Sequence, residues 1–355
     1  MTAADDINAV VIGATGYVGG EMLRLLAAHP TFSLQAAVSE SRAGEPIAAL
    51  FPHLACTCAG LAFAKPATWT ANLDRGSNLA LFSAAPHGAS ASVVAEALEA
   101  AAKRNLTAHV VDCSADFRYP DAASYQAVYG NTHRAPQLLG EFACAVPEHA
   151  TRIDSMHVGH PGCFATAVLL AAVPLVDAAL VAGPLFVTAV TGSTGSGKTA
   201  QAGTHHPERH ANLYAYKALA HRHAPEIERL VELATGQATN VHFTPHSGPF
   251  SRGIYATLQA GLASDTPANA VREAFENYYA ESPFVRVVDG APKLKDVVAS
   301  NYCHIGIAEA NGAVVITSAI DNLLKGAAGG AVQWMNRIWS LPETTGLLAP
   351  AAPWI

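Results

Sequence analysis

Along the first part of the chain, short runs of apolar, often β-branched residues alternate with longer stretches in which apolar positions recur every three to four residues. The first pattern predicts buried strands and the second amphipathic helices. Residues 9–12 (AVVI) read as a strand, GATGYVGG as the turn after it, and EMLRLLAAH at 21–29 as a helix stopped by Pro30. LQAAVS at 34–39 is a second strand, LALFSAA at 79–85 another with its helix at 91–104, and HVVDCSA at 109–115 closes the series. Strands and helices in this rhythm build a parallel sheet covered on both faces, so the N-terminal part is predicted to be an α/β, Rossmann-like dinucleotide-binding domain.

From about Pro161 the pattern changes. A helix at 164–176 (FATAVLLAAVPLV) precedes a strand at 184–190, a polar His-rich stretch, and strands at 240–245, 253–262, 303–310 and 314–320. Strands gathered this way predict a second, α+β domain on a mixed or antiparallel sheet. The small-residue stretch at 322–338 (NLLKGAAGGAVQWMNRI) reads as a helix packing back on the first domain, and the Pro/Ala-rich end, LLAPAAPWI, as loosely ordered. The expected partition is therefore 1–160, completed by about 322–355, and 161–321.

Composition narrows the function classes. With 355 residues, 50% hydrophobic and 14% charged, the chain has material for a large core and two domains. A net charge of −7 without any basic run argues against nucleic acid or a membrane surface as partner. No apolar stretch is long enough to span a bilayer, and MTAADDINAV lacks the basic start and apolar core of a signal peptide, so a cytoplasmic location is expected. The six cysteines are too few and too irregular for a disulfide framework, so reduced thiols are expected. His53, Cys56 and Cys58 have no second ligand pair at finger-like spacing, and no metal site is expected.

Four stretches carry candidate chemistry. GSTGSGKT at 192–199 spells a phosphate-binding P-loop letter for letter, but the helix that must start at its Lys is interrupted by Gly203 and Pro207. The turn Gly13, Ala14, Thr15, Gly16, Tyr17, Val18, Gly19 lies between a strand and a helix, where backbone can touch a pyrophosphate at a helix N-terminus. At the end of the second strand, Glu40 would favour NAD by holding ribose hydroxyls, whereas Ser39 and Arg42 would favour NADP by holding a 2′-phosphate; the balance leans to NADP. In HPGCFAT, Cys163 stands just before a helix, whose dipole favours thiolate. In AHRHAPEI, His221 and His223 flank Arg222 before a helix start at Pro225, and a base of ordinary imidazole strength suits proton transfer at neutral pH.

GATGYVGGE, DCSADFR, HPGCFAT, AHRHAPEI, FTPHSGPFSRGI and AIDNLLKGAAGGAVQ, in that order and over nearly the whole chain, resemble the N-acetyl-γ-glutamyl-phosphate reductase family of arginine biosynthesis, within the larger group of aspartate-semialdehyde and glyceraldehyde-phosphate dehydrogenases. The resemblance implies a Rossmann domain followed by a catalytic and oligomerisation domain, NADPH as cofactor, a small acyl-phosphate substrate, and a homodimer or homotetramer. It implies Cys163 as nucleophile, His221 as acid/base, and Arg118, His223 and Ser114 as substrate-binding residues. It makes GSTGSGKT a cofactor and substrate loop, with Gly195, Ser196 and Asn322 reaching the cofactor beside Gly13, Thr15, Gly16, Tyr17, Val18, Ser39 and Arg42. The segment AQAGTHHPERHANLYAYKAL and Phe164, where Tyr is frequent, depart from commoner family versions, and the substituent on the substrate nitrogen stays open between acetyl, succinyl and a carrier.

Overall fold

Seven parallel strands form the sheet of the first unit, in the computed structural model, which describes residues 7–150 and 155–352. The elements run β1 (Ile7–Ile12), α1 (Tyr17–Leu26), β2 (Phe32–Val38), α2 (Ile47–Leu50), β3 (Phe63–Ala64), β4 (Asn78–Ser83), α3 (Ser90–Lys103), β5 (Thr107–Asp112), α4 (Ala122–Tyr129), β6 (Phe142–Ala143) and β7 (His157–Gly159). Their order in the sheet is β3-β2-β1-β4-β5-β7-β6, and the chain reverses its direction of winding between β1 and β4, where open α/β sheets bind ligands. β1 and β4 carry buried apolar runs, Ala9 to Ile12 and Leu79 to Phe82, because both faces are covered, whereas β5 is buried only over its last three residues, Val110 to Asp112. On one face Val10, Ile12, Leu79, Leu81 and Val110 pack with Val94, Ala97 and Ala101 of α3. The alternation of side chains turns Ala9 and Val11 to the opposite face.

The main run of the second unit starts with α5 (Cys163–Asp177), buried along nearly its whole length, and continues through β8 (Val181–Thr191), α6 (His206–Arg209), β9 (Tyr214–Ala215), α7 (His223–Thr235), β10 (Val241–Ser247), β11 (Ile254–Leu262), α8 (Ala270–Tyr278), β12 (Val285–Val287), β13 (Cys303–Ala310) and β14 (Ala313–Ile320). The sheet is mixed, in the order β12-β13-β14-β11-β8-β10-β9. Ile254, Ala256, Leu258 and Ala260 of β11 and Val241, Phe243, Pro245 and Ser247 of β10 point to the covered face. The other face leaves Phe186 exposed, with its ring stacked on His242.

A π-helical turn, Leu324–Ala328, leads into α9 (Gly329–Ile338), which packs on α1 and β5 of the first unit. The units divide accordingly: the first comprises the chain through Cys144, the stretch ending at His160, and Ala328–Leu348; the second begins at Ala145, resumes over Pro161–Ala327 and takes the chain from Ala349. The return to the first unit falls at Ala328, the last residue of the π turn, whose earlier residues belong to the second unit.

Several boundaries depart from the sequence pattern. α1 starts at Tyr17, inside the glycine turn, and α7 starts at His223 rather than Pro225, so the imidazole itself opens the helix. The stretch 322–338 is not one helix, since five residues of it form the π turn. The tail through residue 352 is more anchored than its composition implies: Leu347 is buried, and Ala352 N–H donates to the Val298 carbonyl at 3.1 Å. The N-terminal residues 1–6 and the last residues, 353–355, lie outside the described residues. No described helix is long and apolar enough to cross a membrane.

Lys325, in the π turn, is fully buried with its ammonium 2.5 Å from Glu148. Breaking a buried pair strands the remaining charge, whereas replacing both partners removes the desolvation cost along with the attraction. Lys325→Met should therefore lower unfolding stability by about 3 kcal/mol, and the double variant Lys325→Met, Glu148→Leu should recover most of that loss. Urea midpoints of the three proteins check this; a double variant no more stable than the single one would contradict it.

Candidate active site

The glycine turn after β1 is shaped by backbone contact. Gly13 has φ +69, and a Cβ there would fall 2.7 Å from the Ala84 and Ala85 backbone, so no other residue fits. Gly16 caps α1 without any side-chain hydrogen bond, and a Cβ at Gly16 would meet no atom within 4 Å. Uncapped first-turn N–H groups behind an open glycine are the donor set that a pyrophosphate needs, and Thr15, Tyr17 and Val18 lie at this helix start with Tyr17 exposed. At the end of β2, Ser39 is buried, Glu40 is exposed, and Arg42 is exposed and paired with Glu45 at 2.9 Å.

The DCSADFR stretch follows β5. Asp112 is fully buried and accepts hydrogen bonds from the Ser90 and Ser114 hydroxyls; burial pushes its carboxyl above the usual range, against the pull of those bonds. Asp116 accepts the Gly88 and Ala91 N–H groups at the start of α3. Ser114 also accepts the Asp116 N–H at 3.0 Å, so its hydroxyl serves this internal network. Arg118 is buried, its Nε donating to the His160 carbonyl at 3.0 Å and its Nη2 to the Cys113 carbonyl at 3.1 Å.

In the second unit, Cys163 is the first residue of α5, half-buried, with Gly162 at the cap position and no side-chain cap. Gly162 N–H donates to Oε1 of Glu226 at 2.7 Å. Glu226 is fully buried in the first turn of α7, and its other oxygen lies 4.0 Å from Nε2 of His223. His223 N–H in turn donates to Nδ1 of His221 at 3.2 Å, and the two rings are 4.6 Å apart. Phe164 sits edge-on to both imidazoles and to Phe243. Tyr216 packs 5.7 Å from the His221 ring; burial and then the nearby Cys163 sulfur push its hydroxyl pKa upward. Burial, reinforced by Arg222 and Lys217, lowers the His221 pKa to about 4, so the ring is neutral at pH 7. With Nδ1 accepting a backbone N–H, a neutral ring carries its proton on Nε2.

The glycine loop is not a phosphate cradle. Ser193–Ser196 is a single 3-10 turn, and no helix starts at Lys198. Its N–H groups are turned inward: Gly192, Ser193 and Thr194 donate to the carbonyls of Gly253, Phe250 and Ser251, and Gly195 to that of Gly192. Asn322 locks this arrangement, donating from Nδ2 to Thr194 Oγ1 at 3.0 Å and accepting Gly253 N–H at 2.6 Å. Both ends of the Asn322 amide thus hold the loop, while Gly195 and Ser196 are both exposed on its outer side.

Three neighbours of the thiol escape sequence reasoning. Glu226 stands three residues after His223, a helical spacing that was readable once the helix start is placed at His223. Gly326 lies against Cys163, so close that a Cβ there would fall 2.7 Å from the cysteine Cβ; its only sequence trace is the small-residue run after Lys325. Tyr216 lies in a polar stretch with no periodicity to mark it. Elsewhere, Cys56 is exposed and Cys58 buried, and among the described residues no group of three or more His, Cys, Asp or Glu side chains is placed to hold a metal.

Residues 8–146 match the family described as semialdehyde dehydrogenase, NAD binding domain, and residues 163–322 match semialdehyde dehydrogenase, dimerisation domain. Among solved structures, aspartate semialdehyde dehydrogenase II from Vibrio cholerae complexed with ASA superposes with TM-score 0.68 at 16% identity, covering 95% of this chain and 98% of that one. Aspartate semialdehyde dehydrogenase with NADP from Candida albicans gives 0.64, also at 16% identity, covering 94% and 99%. These share the fold. The N-acetyl-gamma-glutamyl-phosphate reductase of Acidithiobacillus ferrooxidans is 38% identical over 96% of this chain and 98% of its own, and that of Methanopyrus kandleri 39% identical over 96% and 97%. At that identity over nearly its full length, with an NAD-binding and a dimerisation domain of the semialdehyde dehydrogenase type, this chain belongs to the N-acetyl-gamma-glutamyl-phosphate reductase family.

Proposed function

We propose that the protein reduces N-acetyl-γ-glutamyl phosphate to the semialdehyde with release of phosphate, in arginine biosynthesis, using NADPH and working as a homo-oligomer. The observation that carries this reading is a cysteine at an uncapped helix start, tied through Glu226 to a pair of buried imidazoles. The dinucleotide fits the α1 N-terminus, where Gly13, Thr15, Gly16, Tyr17 and Val18 would hold its pyrophosphate. Ser39 and Arg42 would take the 2′-phosphate; Arg42 is held by an exposed ion pair with Glu45, which costs little to exchange. Bound NADPH supplies the two electrons that bring a thioester to the aldehyde level.

The chain's own groups do the rest. The α5 dipole favours the Cys163 thiolate, which attacks the γ-acyl carbon; the tetrahedral oxyanion collapses, the C–O bond to phosphate breaks, and a thioester remains. After reduction the same oxygen again carries negative charge, and its collapse releases semialdehyde and thiolate. His221 is the acid/base group: its Nε2–H, and the Cys163 N–H at the helix start, donate to that oxygen in both tetrahedral stages. His223, steadied by Glu226, and Arg118 would bind substrate oxygens, and Ser114 would act through the Asp112 network. Gly195, Ser196 and Asn322 would shape the nicotinamide end of the cofactor site.

The direct test is phosphate-dependent reduction of NADP by the purified protein with N-acetylglutamate semialdehyde, run beside the N-succinyl analogue and beside NAD. Turnover that needs no phosphate, or none with either aldehyde, contradicts the proposal. Cys163→Ser should bind cofactor but lose at least about 10³ in turnover. Iodoacetamide should modify Cys163 before the more exposed Cys56, which accessibility alone would favour. His221→Ala should cost roughly 10² to 10⁴ in turnover, with Gln, which keeps an N–H donor, retaining more than Ala. Because the His221 pKa lies near 4, the ring is neutral above that and gains charge only as pH falls through it. The acid limb of kcat/KM should therefore show no ionisation near 6.5 that disappears in His221→Gln. Gly195→Val should raise KM for NADPH or lower turnover, and calorimetry with ATP and magnesium should detect no binding; saturable ATP binding lost in Lys198→Ala would restore the P-loop reading.

A further inference from the structure

Between residues 201 and 220 nearly every side chain is exposed, and the one buried residue is an arginine. Arg209, the last residue of α6, is only 8% exposed. Its Nη1 donates to the Ser247 hydroxyl at 2.9 Å. Nε and Nη2 are buried without a hydrogen-bond partner among the described residues, and no described carboxylate lies within ion-pair distance. A guanidinium is strongly disfavoured in such a place unless an anion completes it. The two atoms left over are those that lie parallel on one edge of the guanidinium, the edge that takes both oxygens of a carboxylate or phosphate. Arg252 in this same chain uses that edge on Asp321, with Nε and Nη2 donating at 3.0 and 3.2 Å to its two oxygens.

The position fits a substrate site. Ser247 ends β10 on the sheet face that also carries Phe243, whose ring contacts Phe164 and His221. The two positions are four residues apart on one strand, roughly 13 Å by strand rise, a span covered by an arginine side chain together with a glutamyl chain. Ser247 also pairs with Thr191, the residue that enters the glycine loop. Tyr216, beside Cys163 and His221, follows Arg209 on the same exposed segment and is hydrogen-bonded to the neighbouring Pro245.

We propose that Arg209 recognises the α-carboxylate of the substrate through its Nε and Nη2 edge, with Ser247 fixing the guanidinium. This rests on the reduction proposed above, which supplies a substrate carrying both a carboxylate and a phosphate; Arg209 selects the carboxylate and so sets which acyl phosphates are productive. The test compares N-acetylglutamate semialdehyde with 4-acetamidobutanal, the same aldehyde without its carboxylate, in the oxidative direction. The parent should favour the carboxylated aldehyde by roughly 10² in kcat/KM, and Arg209→Gln should bring the ratio near one, mostly through KM. Arg209→Lys should fall between, and Ser247→Ala should weaken the preference while keeping the charge. The KM for phosphate should not move. An unchanged ratio overturns the proposal, whether or not sedimentation shows an altered oligomer, and so does a rise in the phosphate KM instead. Calorimetry with N-acetylglutamate separates this from a failure of the functional reading: if the parent oxidises neither aldehyde, that reading falls, while binding by the parent and not by Arg209→Gln upholds the anion site and equal binding overturns it.

Discussion

A single hydrogen bond from the Gly162 N–H to Glu226 holds the catalytic half of this protein in register. Gly162 precedes the cysteine, and Glu226 lies in the first turn of α7, so the bond fastens two helix starts that are distant in sequence. Glu226 is fully buried, and its second oxygen lies 4.0 Å from Nε2 of His223, a proximity rather than a hydrogen bond. His223 passes the constraint on through its backbone N–H to Nδ1 of His221, which fixes the tautomer of that ring. Thiol, carboxylate and both imidazoles are thus one connected unit, and shifting any of them moves the rest.

A second constraint closes the site from the other side. Asp321, fully buried, accepts Arg252, the Ala299 N–H and the N–H groups of Leu323 and Leu324, while Asn322 fixes the glycine loop. The π turn that follows brings Gly326 against Cys163 and inserts Lys325 beside Glu148. An α-helical path through these residues would rotate them by the extra residue that a π turn accommodates, so the irregularity is what aims both side chains. π turns are frequent at functional sites for this reason.

The strands β1, β2, β4, β5, β8, β10, β11, β13 and β14 were legible because each is an apolar or alternating run long enough to show its period. β3, β6 and β9 were not, since two residues carry no periodicity, and α8 was hidden by a polar sequence whose few buried positions are Val271 and Phe275. Cys163 and the glycine turn were visible because helix-start chemistry is local. Gly326 and Arg209 matter through partners far away in sequence, Glu226 through distant Gly162 as well as nearby His223, and Tyr216 through His221 across a stretch without periodicity, so each reads in the sequence as a small-residue filler, a loop Arg, a helix-surface acid or a loop Tyr. The spelling GSTGSGKT misleads for the converse reason: it is a local pattern whose N–H groups the tertiary structure has turned inward.

The proposed reduction depends on a covalent bond forming at one sulfur. Mixing the protein with NADP and N-acetylglutamate semialdehyde in the absence of phosphate, then quenching in acid within the first turnover, should trap the acyl group as a thioester. Intact mass should rise by one N-acetylglutamyl unit, and peptide mapping should place it on Cys163, with no adduct in Cys163→Ser. Turnover without any acyl adduct, or an adduct on another cysteine, would contradict the account.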